Sequence, residues 1–388
     1  MGDFFLPDWA EQALGAFIVL LIVIDVFLTV LYARAGIGTV SNLVVKLTWL
    51  FFRAVSKPFG SYRGTVLSLC GPAILVLLIT VWTFALTLGA ALIIHPELGK
   101  SVQVSSGETP TDFITALYAG GSSLSVVGAS DFTPKTAEFQ LFYILNSLIG
   151  MSIVSLTLMY LMQVYNALQR RNGLALKLYL ATGETGDAAE LLAGLGPEGK
   201  FDGGYSNLAD MAMDMAQVKE SHHFYAVLFF FRFNESYYSM TQTSLTSLDT
   251  VSLIKSALSD EKYAWLKESL STTQLWRASM MMLKTSANTF LSGEMPDEQK
   301  QPDEQTLENW RRRYFAALKR LRQANIETIA EEQAGFEIYV SLRSEWNNYI
   351  TSLAPQMAYG MEEVDSAGSN PESALERRDF RARQHSVG

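Results

Sequence analysis

Few residues of this chain stand in a pattern that could do chemistry. Glu220, His222 and His223 are metal-ligating types, but adjacent histidines on a helix diverge by about 100°, and their spacing fits no strong motif. No metal is expected there. Gly194-Leu195-Gly196-Pro197-Glu198-Gly199 has a proline inside it and reads as a turn cluster rather than a phosphate cradle. No strand runs into G-x-G-x-x-G and a helix, and no Ser-His-Asp, paired-carboxylate or H-E-x-x-H arrangement stands out. The single cysteine, Cys70, excludes a disulfide framework within one chain and a cysteine-based zinc site. No enzyme and no cofactor are expected. Two features remain: the acid Asp25, set in an apolar run, and a Gly/Ser-rich stretch from Gly120 to Pro134 whose one charge is Asp131.

Both features lie in the apolar part of a chain with two unlike halves. Of the first 170 residues 17 are charged, against 52 of the remaining 218. That contrast reads as a membrane domain followed by a soluble one. A net charge of −9, with no basic face in the first half, argues against nucleic acid as a partner. Three apolar stretches reach the roughly 20 residues that a helix needs to cross a bilayer: Ala13 to Tyr32, Val66 to Ile94 and Phe139 to Tyr165. Asp3, Asp8 and Glu11 precede the first, with no Lys or Arg, so a retained helix is expected rather than a cleaved signal. Arg34, Lys46, Arg53, Lys57 and Arg63 lie between the first two spans, and Arg170, Arg171 and Lys177 follow the third. The positive-inside rule puts these segments in the cytoplasm, and the N-terminus and the stretch from His95 to Glu138 outside.

Between the first two spans, Val40, Leu43, Val44, Leu47, Leu50, Phe51, Ala54 and Val55 recur at helical spacing, with Lys46 and Arg53 on another face. This predicts an amphipathic helix lying in the headgroup region, with a fourth span, which would bury both cations, as the lesser alternative. Asp25 is ionisable at mid-span, where burial is costly. A structural hydrogen bond with Thr80, Thr83 or Thr87 is the favoured expectation, with sensing of potential or pH as the alternative.

The segment between spans two and three opens with Thr109-Pro110-Thr111-Asp112. Thr111 is the expected N-cap of a short helix through Phe113, Ile114, Leu117 and Tyr118. The Gly/Ser-rich stretch follows, and then the third span. A short helix, irregular backbone and a long apolar helix read as a re-entrant loop, since irregular backbone at membrane depth must be buried in protein or line a watery cavity.

Ser123-Leu124-Ser125-Val126-Val127-Gly128-Ala129-Ser130-Asp131, followed by Thr133-Pro134, resembles the filter of the potassium-channel superfamily, T-x-T-T-V-G-Y-G-D with a following Thr-Pro. The resemblance covers about residues 60–170. It implies a pore-loop tetramer of the two-transmembrane type with an extra N-terminal helix, in which a pore helix, a filter (Ser125, Val126, Val127, Gly128, Ala129, Ser130, Asp131) and an inner helix surround the path of a monovalent cation, K⁺ and/or Na⁺. In that family backbone carbonyls and a threonine hydroxyl replace the ion's water shell. Ser125 stands for the first paired threonine, Val127 for the filter valine and Asp131 for the acid just outside. Val126 lacks the second threonine's hydroxyl, Ala129 lacks the bracing tyrosine ring, and Ser130 replaces the second glycine. A left-handed serine there would cost roughly 1–2 kcal/mol per subunit. A wider, more mobile or differently folded filter is expected, with K⁺ preference reduced. The resemblance also makes Gly150 a hinge candidate, with close packing the equal alternative. Gly120 and Gly121 inside the pore helix would each weaken it by about 1 kcal/mol relative to alanine, with close packing again the equal alternative. Val154, Leu158 and Met162 below it are an apolar constriction or a lipid-facing stripe.

Beyond Asn172 the pattern is helical and polar, without the strands of a Rossmann-like or jelly-roll regulator. Ser206 to Lys219 reads as a helix, and the run Phe224 to Phe231 as a buried segment too short to span. Leu307, Trp310, Tyr314, Ala317 and Leu321 follow 3-4-3-4 spacing, a coiled-coil seam or a core stripe, with Arg311, Arg312 and Arg313 beside it as a solvated face, an inner-leaflet contact being the lesser alternative.

The expected protein is an all-α membrane protein: three transmembrane helices, a re-entrant pore helix and filter, and an α-helical cytoplasmic domain. Its parts are an N-terminal transmembrane helix (1–38), an interfacial helix (39–65), a pore domain (66–170), the cytoplasmic domain (171–361) and a disordered tail (362–388). The expected role is a homotetrameric cation channel of the bacterial inner membrane, gated by an unidentified cytoplasmic ligand or protein. The alternative is a non-conducting membrane sensor or scaffold that keeps the channel fold.

Overall fold

The structure, a computed structural model, describes residues 7–32, 38–125, 131–291, 295–297 and 301–365. They fall into two compact units, one drawn from Met1–Val55, Leu69–Asn166 and Phe224–Val227, the other from Ser56–Ser68, Ala167–His223 and Leu228–Gly388.

In the first unit, α1 (Asp8–Val26) runs into a turn of π-helix, Phe27–Leu31. Next is α2 (Thr39–Ser56). A 3₁₀ stretch, Lys57–Tyr62, then turns the chain at Gly60, φ +49°, a backbone that glycine adopts freely. It leads to α3 (Arg63–Ser68), and after a break at Leu69 comes α4 (Cys70–Ile94). The span expected from Val66 is therefore two helices. The 3₁₀ stretch and α3 belong to the second unit, so the expected 39–65 segment divides after Val55. Helical stretches at Asp8–Leu31, Arg63–Glu97 and Ala137–Ala181 are long and apolar enough to cross a membrane, matching the three expected spans.

α1 packs on α4, where a Cβ added at Gly15 would lie 2.6 Å from the Gly89 carbonyl oxygen, so the two backbones touch. α2 buries Ser41, Val45, Thr48 and Trp49, while Leu43, Leu47, Leu50 and Phe51 face away from the chain. The expected apolar face thus has no protein cover among the described residues.

After α4 the chain forms β1 (Val102–Val104), α5 (Phe113–Leu124), β2 (Phe132–Pro134) and α6 (Ala137–Ala181). β1 and β2 pair antiparallel with Val102 opposite Pro134, Gln103 opposite Thr133 and Val104 opposite Phe132. An all-α fold is corrected to this extent: β-branched and aromatic residues pair over three positions, and Pro134 sits at the strand end where its missing N–H matters least. Ala91, Ile94, Leu98, Val102, Ala116 and Ala119 form the core that holds α5 to α4.

The second unit is helical: α7 (Ala188–Leu195), α8 (Asp202–Phe224), α9 (Met240–Ala257), α10 (Asp260–Lys267), α11 (Leu270–Phe290), α12 (Glu304–Gln323), α13 (Glu332–Gln356) and α14 (Met361–Val364). α9 is innermost, with α7, α11, α12 and α13 around it. It is also polar. Thr243, Ser247, Thr250, Ser252 and Ser256 each return their hydroxyl to the carbonyl four residues back. Burial therefore leaves these hydroxyls satisfied within the helix itself. Trp310, Tyr314, Ala317 and Leu321 are buried, which makes the 3-4-3-4 pattern a core stripe. The expected helix at Ser206–Lys219 lies within α8, and Val227 to Phe231 are buried as expected. The expected start of the tail at 362 is corrected: Met361–Val364 are helical because Val364 is buried and Glu363 closes the turn onto Gly360 N at 3.0 Å. Residues 366–388 lie outside the described residues.

Candidate functional site

The Gly/Ser-rich stretch is held at both ends. α5 is capped by Asp112 rather than Thr111, because the Asp112 carboxylate accepts from Thr115 N at 3.0 Å and from Thr115 Oγ1 at 2.7 Å. The Thr115 hydroxyl, and then its amide, lower the Asp112 pKa below the usual carboxylate value. At the far end of α5, Ser123 Oγ donates to Gly120 O at 2.7 Å and accepts from the buried Asn146 Nδ2 of α6 at 2.7 Å. Ser125 N bonds Ser122 O at 3.1 Å. Val126, Val127, Gly128, Ala129 and Ser130, the middle of the expected filter, lie outside the described residues. At the other end stands the exposed Asp131, whose carbonyl accepts from Ser105 N at 2.8 Å and Ser105 Oγ at 2.9 Å.

The glycines of this region are contact points. A Cβ on Gly120 would lie 2.7 Å from Ala91 N, and one on Gly150 would lie 2.0 Å from Leu124 O. Gly121 stands against the Thr87 side chain. Close packing, one of the two expected roles, is what these positions display. Val154, Leu158 and Met162 are 56%, 59% and 68% exposed, so this stripe of α6 has no cover among the described residues.

Asp25 is buried and accepts from Val40 N at 2.8 Å, Ser41 N at 3.2 Å, Ser41 Oγ at 2.5 Å and Trp82 Nε1 at 3.0 Å. A structural role was the favoured expectation; the expected partners Thr80, Thr83 and Thr87 are corrected to the start of α2 and an indole. Thr80 instead donates to Val76 O at 2.8 Å, within its own helix. Thr29, in the π turn, extends the centre: it donates to Ser41 Oγ at 3.1 Å and accepts from Gly38 N at 3.0 Å. Asp25 thus ties the end of α1, the first turn of α2 and the middle of α4 through one carboxylate.

Sequence reasoning missed other polar centres. Glu11 and His95 meet at 2.8 Å near the opposite end of α1. In the second unit, Asp249 of α9 is fully buried and accepts from Arg313 Nε at 2.8 Å, Tyr339 Oη at 2.7 Å and Arg343 Nη1 at 2.9 Å. Arg313 is therefore no part of a solvated face, a correction forced by the acid beneath it. Arg171, read only as a cation flanking a span, is buried and donates to Leu228 O at 2.8 Å and Phe231 O at 2.9 Å. It closes the carbonyls of the apolar Phe run. His222 is buried with Nδ1 at 2.8 Å from Val218 O, and burial, reinforced by the Arg171 charge, lowers its pKa to about 3. Among the described residues no group of three His, Cys, Asp or Glu could hold a metal ion.

No family model matches the chain. No solved structure matches it either. It is similar to an uncharacterized membrane protein, YdjJ, of Bacillus subtilis (strain 168), 22% identical over 240 residues, a match covering 62% of this chain and 66%, just under two thirds, of that relative. That similarity and three apolar helices of spanning length make this chain a mainly helical membrane protein.

Proposed function

We propose that the chain is one subunit of a homotetrameric cation channel of the bacterial inner membrane, with its N-terminus outside and its second unit in the cytoplasm. The observation that carries the reading is the β1–β2 pairing. The strand before α5 pairs with the strand that ends the Gly/Ser-rich stretch, so the chain between them leaves and returns at one place. α5 has 12 residues, about 18 Å of helix, too short for a hydrocarbon core of ~30 Å. A short helix, a Gly/Ser-rich segment and a return to the start between two spanning helices is the plan of a re-entrant pore loop. Four copies would place Ser125 to Asp131 around an axis, with the uncovered stripe of α6 facing the common cavity. A monovalent cation, K⁺ and/or Na⁺, would be the cargo. The bilayer is the surrounding partner, and the cytoplasmic unit would bias the pore through a ligand or protein bound differently in open and closed states.

Purified protein in voltage-clamped bilayers tests this. Unitary currents reversing toward the cation potential in asymmetric KCl and NaCl are expected. Val126→Thr, Ala129→Tyr and Ser130→Gly together should raise K⁺ preference. Persistent silence from an intact tetramer would overturn conduction and favour the second reading, a non-conducting sensor or scaffold. The filter departures at Val126, Ala129 and Ser130 are what recommend that second reading.

A further inference from the structure

The second unit holds a two-point clamp for a carboxylate. Arg313 on α12 reaches Oδ2 of Asp249 and Arg343 on α13 reaches Oδ1, and each keeps a second guanidinium edge for another acid. Those edges converge on the two oxygens of one further carboxylate, Asp365: Arg313 Nη1 pairs with Oδ1, and Arg343 Nη2 donates to Oδ2 at 3.1 Å. The guanidinium of Arg343 lies over the rings of Trp310, Trp346 and Tyr339, with centroids 5.4, 4.8 and 5.8 Å away, and its Nε has no hydrogen-bond partner among the described residues. Asp187, the other acid in the field of Arg313, caps α7 through Ala189 N at 2.9 Å.

The two acids are held differently. Asp249 sits in the middle of a buried helix. Asp365 follows a single helical turn, and its side chain is 15% exposed, so solvent reaches it. Besides the clamp, the segment is held by the buried Val364, by packing on α9, α13 and the Ser236–Tyr238 turn, by an Arg232–Glu363 approach of 3.9 Å and by the cap at Gly360. Two arginines fixed by an internal acid, Arg343 also by aromatic faces, present planar donors to both oxygens of one carboxylate, the geometry of bidentate recognition.

We propose that the Arg313–Arg343 pair is a carboxylate-binding site, filled in this structure by Asp365, and that a free carboxylate ligand takes that place and releases the segment Met361–Asp365. The site lies wholly within the second unit and does not depend on whether the chain conducts.

Chemical rescue in the full-length protein tests it. Asp365→Ala should lower the thermal midpoint, and sodium acetate should restore it by several degrees in a saturable manner, beyond sodium chloride at equal ionic strength. Adding Arg343→Gln to that variant should abolish the rescue. An unchanged midpoint in Asp365→Ala, or no acetate effect beyond chloride, overturns the proposal. Rescue by inorganic phosphate but not acetate overturns the carboxylate assignment. Should Asp365→Ala fail to fold, wild-type protein gives the answer: malonate should accelerate cleavage by a glutamate-specific protease at Glu362 or Glu363, and an unchanged rate overturns the displacement.

Discussion

Gly150 of α6 meets the carbonyl of Leu124 so closely that a methyl group there would lie 2.0 Å from the oxygen. The contact is backbone against backbone, between the long helix and the last turn of α5. Gly150→Ala must therefore push these elements apart, at roughly 1–3 kcal/mol for an overpacked contact. The thermal midpoint should fall. In a conducting protein the change should act on the filter side through Leu124 and Ser125. An alanine variant with unchanged stability would restore the hinge as the reason for glycine.

Asp25→Ala removes the acceptor shared by Val40 N, Ser41 and Trp82 Nε1. Loss of a helix cap costs about 0.5–2 kcal/mol, and each buried donor left unsatisfied adds about 1–3 kcal/mol. Asp25→Asn keeps one acceptor oxygen and should retain part of the stability. Thermal unfolding in detergent would rank wild type above Asn and Asn above Ala; equal midpoints for all three would refute the tie.

Asp131 is exposed beside the Gly/Ser-rich stretch, with its backbone fixed by Ser105. In a channel, its charge would gather cations at the outer mouth. Asp131→Asn should reduce unitary cation current, more at low than at high salt, because screening shortens from about 30 Å at 0.01 M to about 3 Å at 1 M. The measurement is conductance against salt, and a salt-independent effect would exclude the electrostatic role.

His222 carries a pH prediction. Its folded pKa of about 3 lies below the ordinary 6.5, burial being the main cause. The unfolded chain thus binds a proton that the fold does not, so stability is full above the unfolded value and falls as pH drops below it. The slope is about 1.4 kcal/mol per pH unit. His222→Phe, whose ring can stay against Phe229, should flatten the loss between about pH 6.5 and 5. Denaturant midpoints across that range provide the check.

Asp249→Ala would leave Arg313 and Arg343 over an empty buried position. Breaking a buried pair by removing one partner costs about 3–5 kcal/mol, so this variant should unfold well before wild type in a urea titration. A midpoint within error of wild type would show that water or another acid replaces the carboxylate.

The spans were legible because bilayer thickness writes itself into long apolar runs, and the core stripe of α12 because helical periodicity is local. Arg313 was misread for a related reason. Three consecutive arginines look solvated until the acid beneath them is known, and Asp249 sits 64 positions away in a hydroxyl-rich helix that gives no periodic signal. Asp25 showed itself by type and place, but its partners did not. Hydroxyls on the neighbouring span were the obvious donors, whereas the structure uses backbone N–H groups of Val40 and Ser41, which no side-chain pattern records. The capping of α5 was misplaced by one residue, a choice between two good caps that only geometry makes. The β1–β2 ribbon escaped because three-residue strands are shorter than any alternation the eye can test.

That ribbon makes the chain between its strands a detachable cassette. Entry and exit are joined by fixed register at Val102–Pro134 and Val104–Phe132, so the loop and short helix inside could be transplanted as one piece wherever the recipient keeps the close contacts of Ala91 and Gly150 with α5. The freedom inside that frame is one-sided: Ala116, Ala119, Gly120 and Ser123 of α5 are buried against neighbouring helices, so only its exposed residues can be exchanged without repacking.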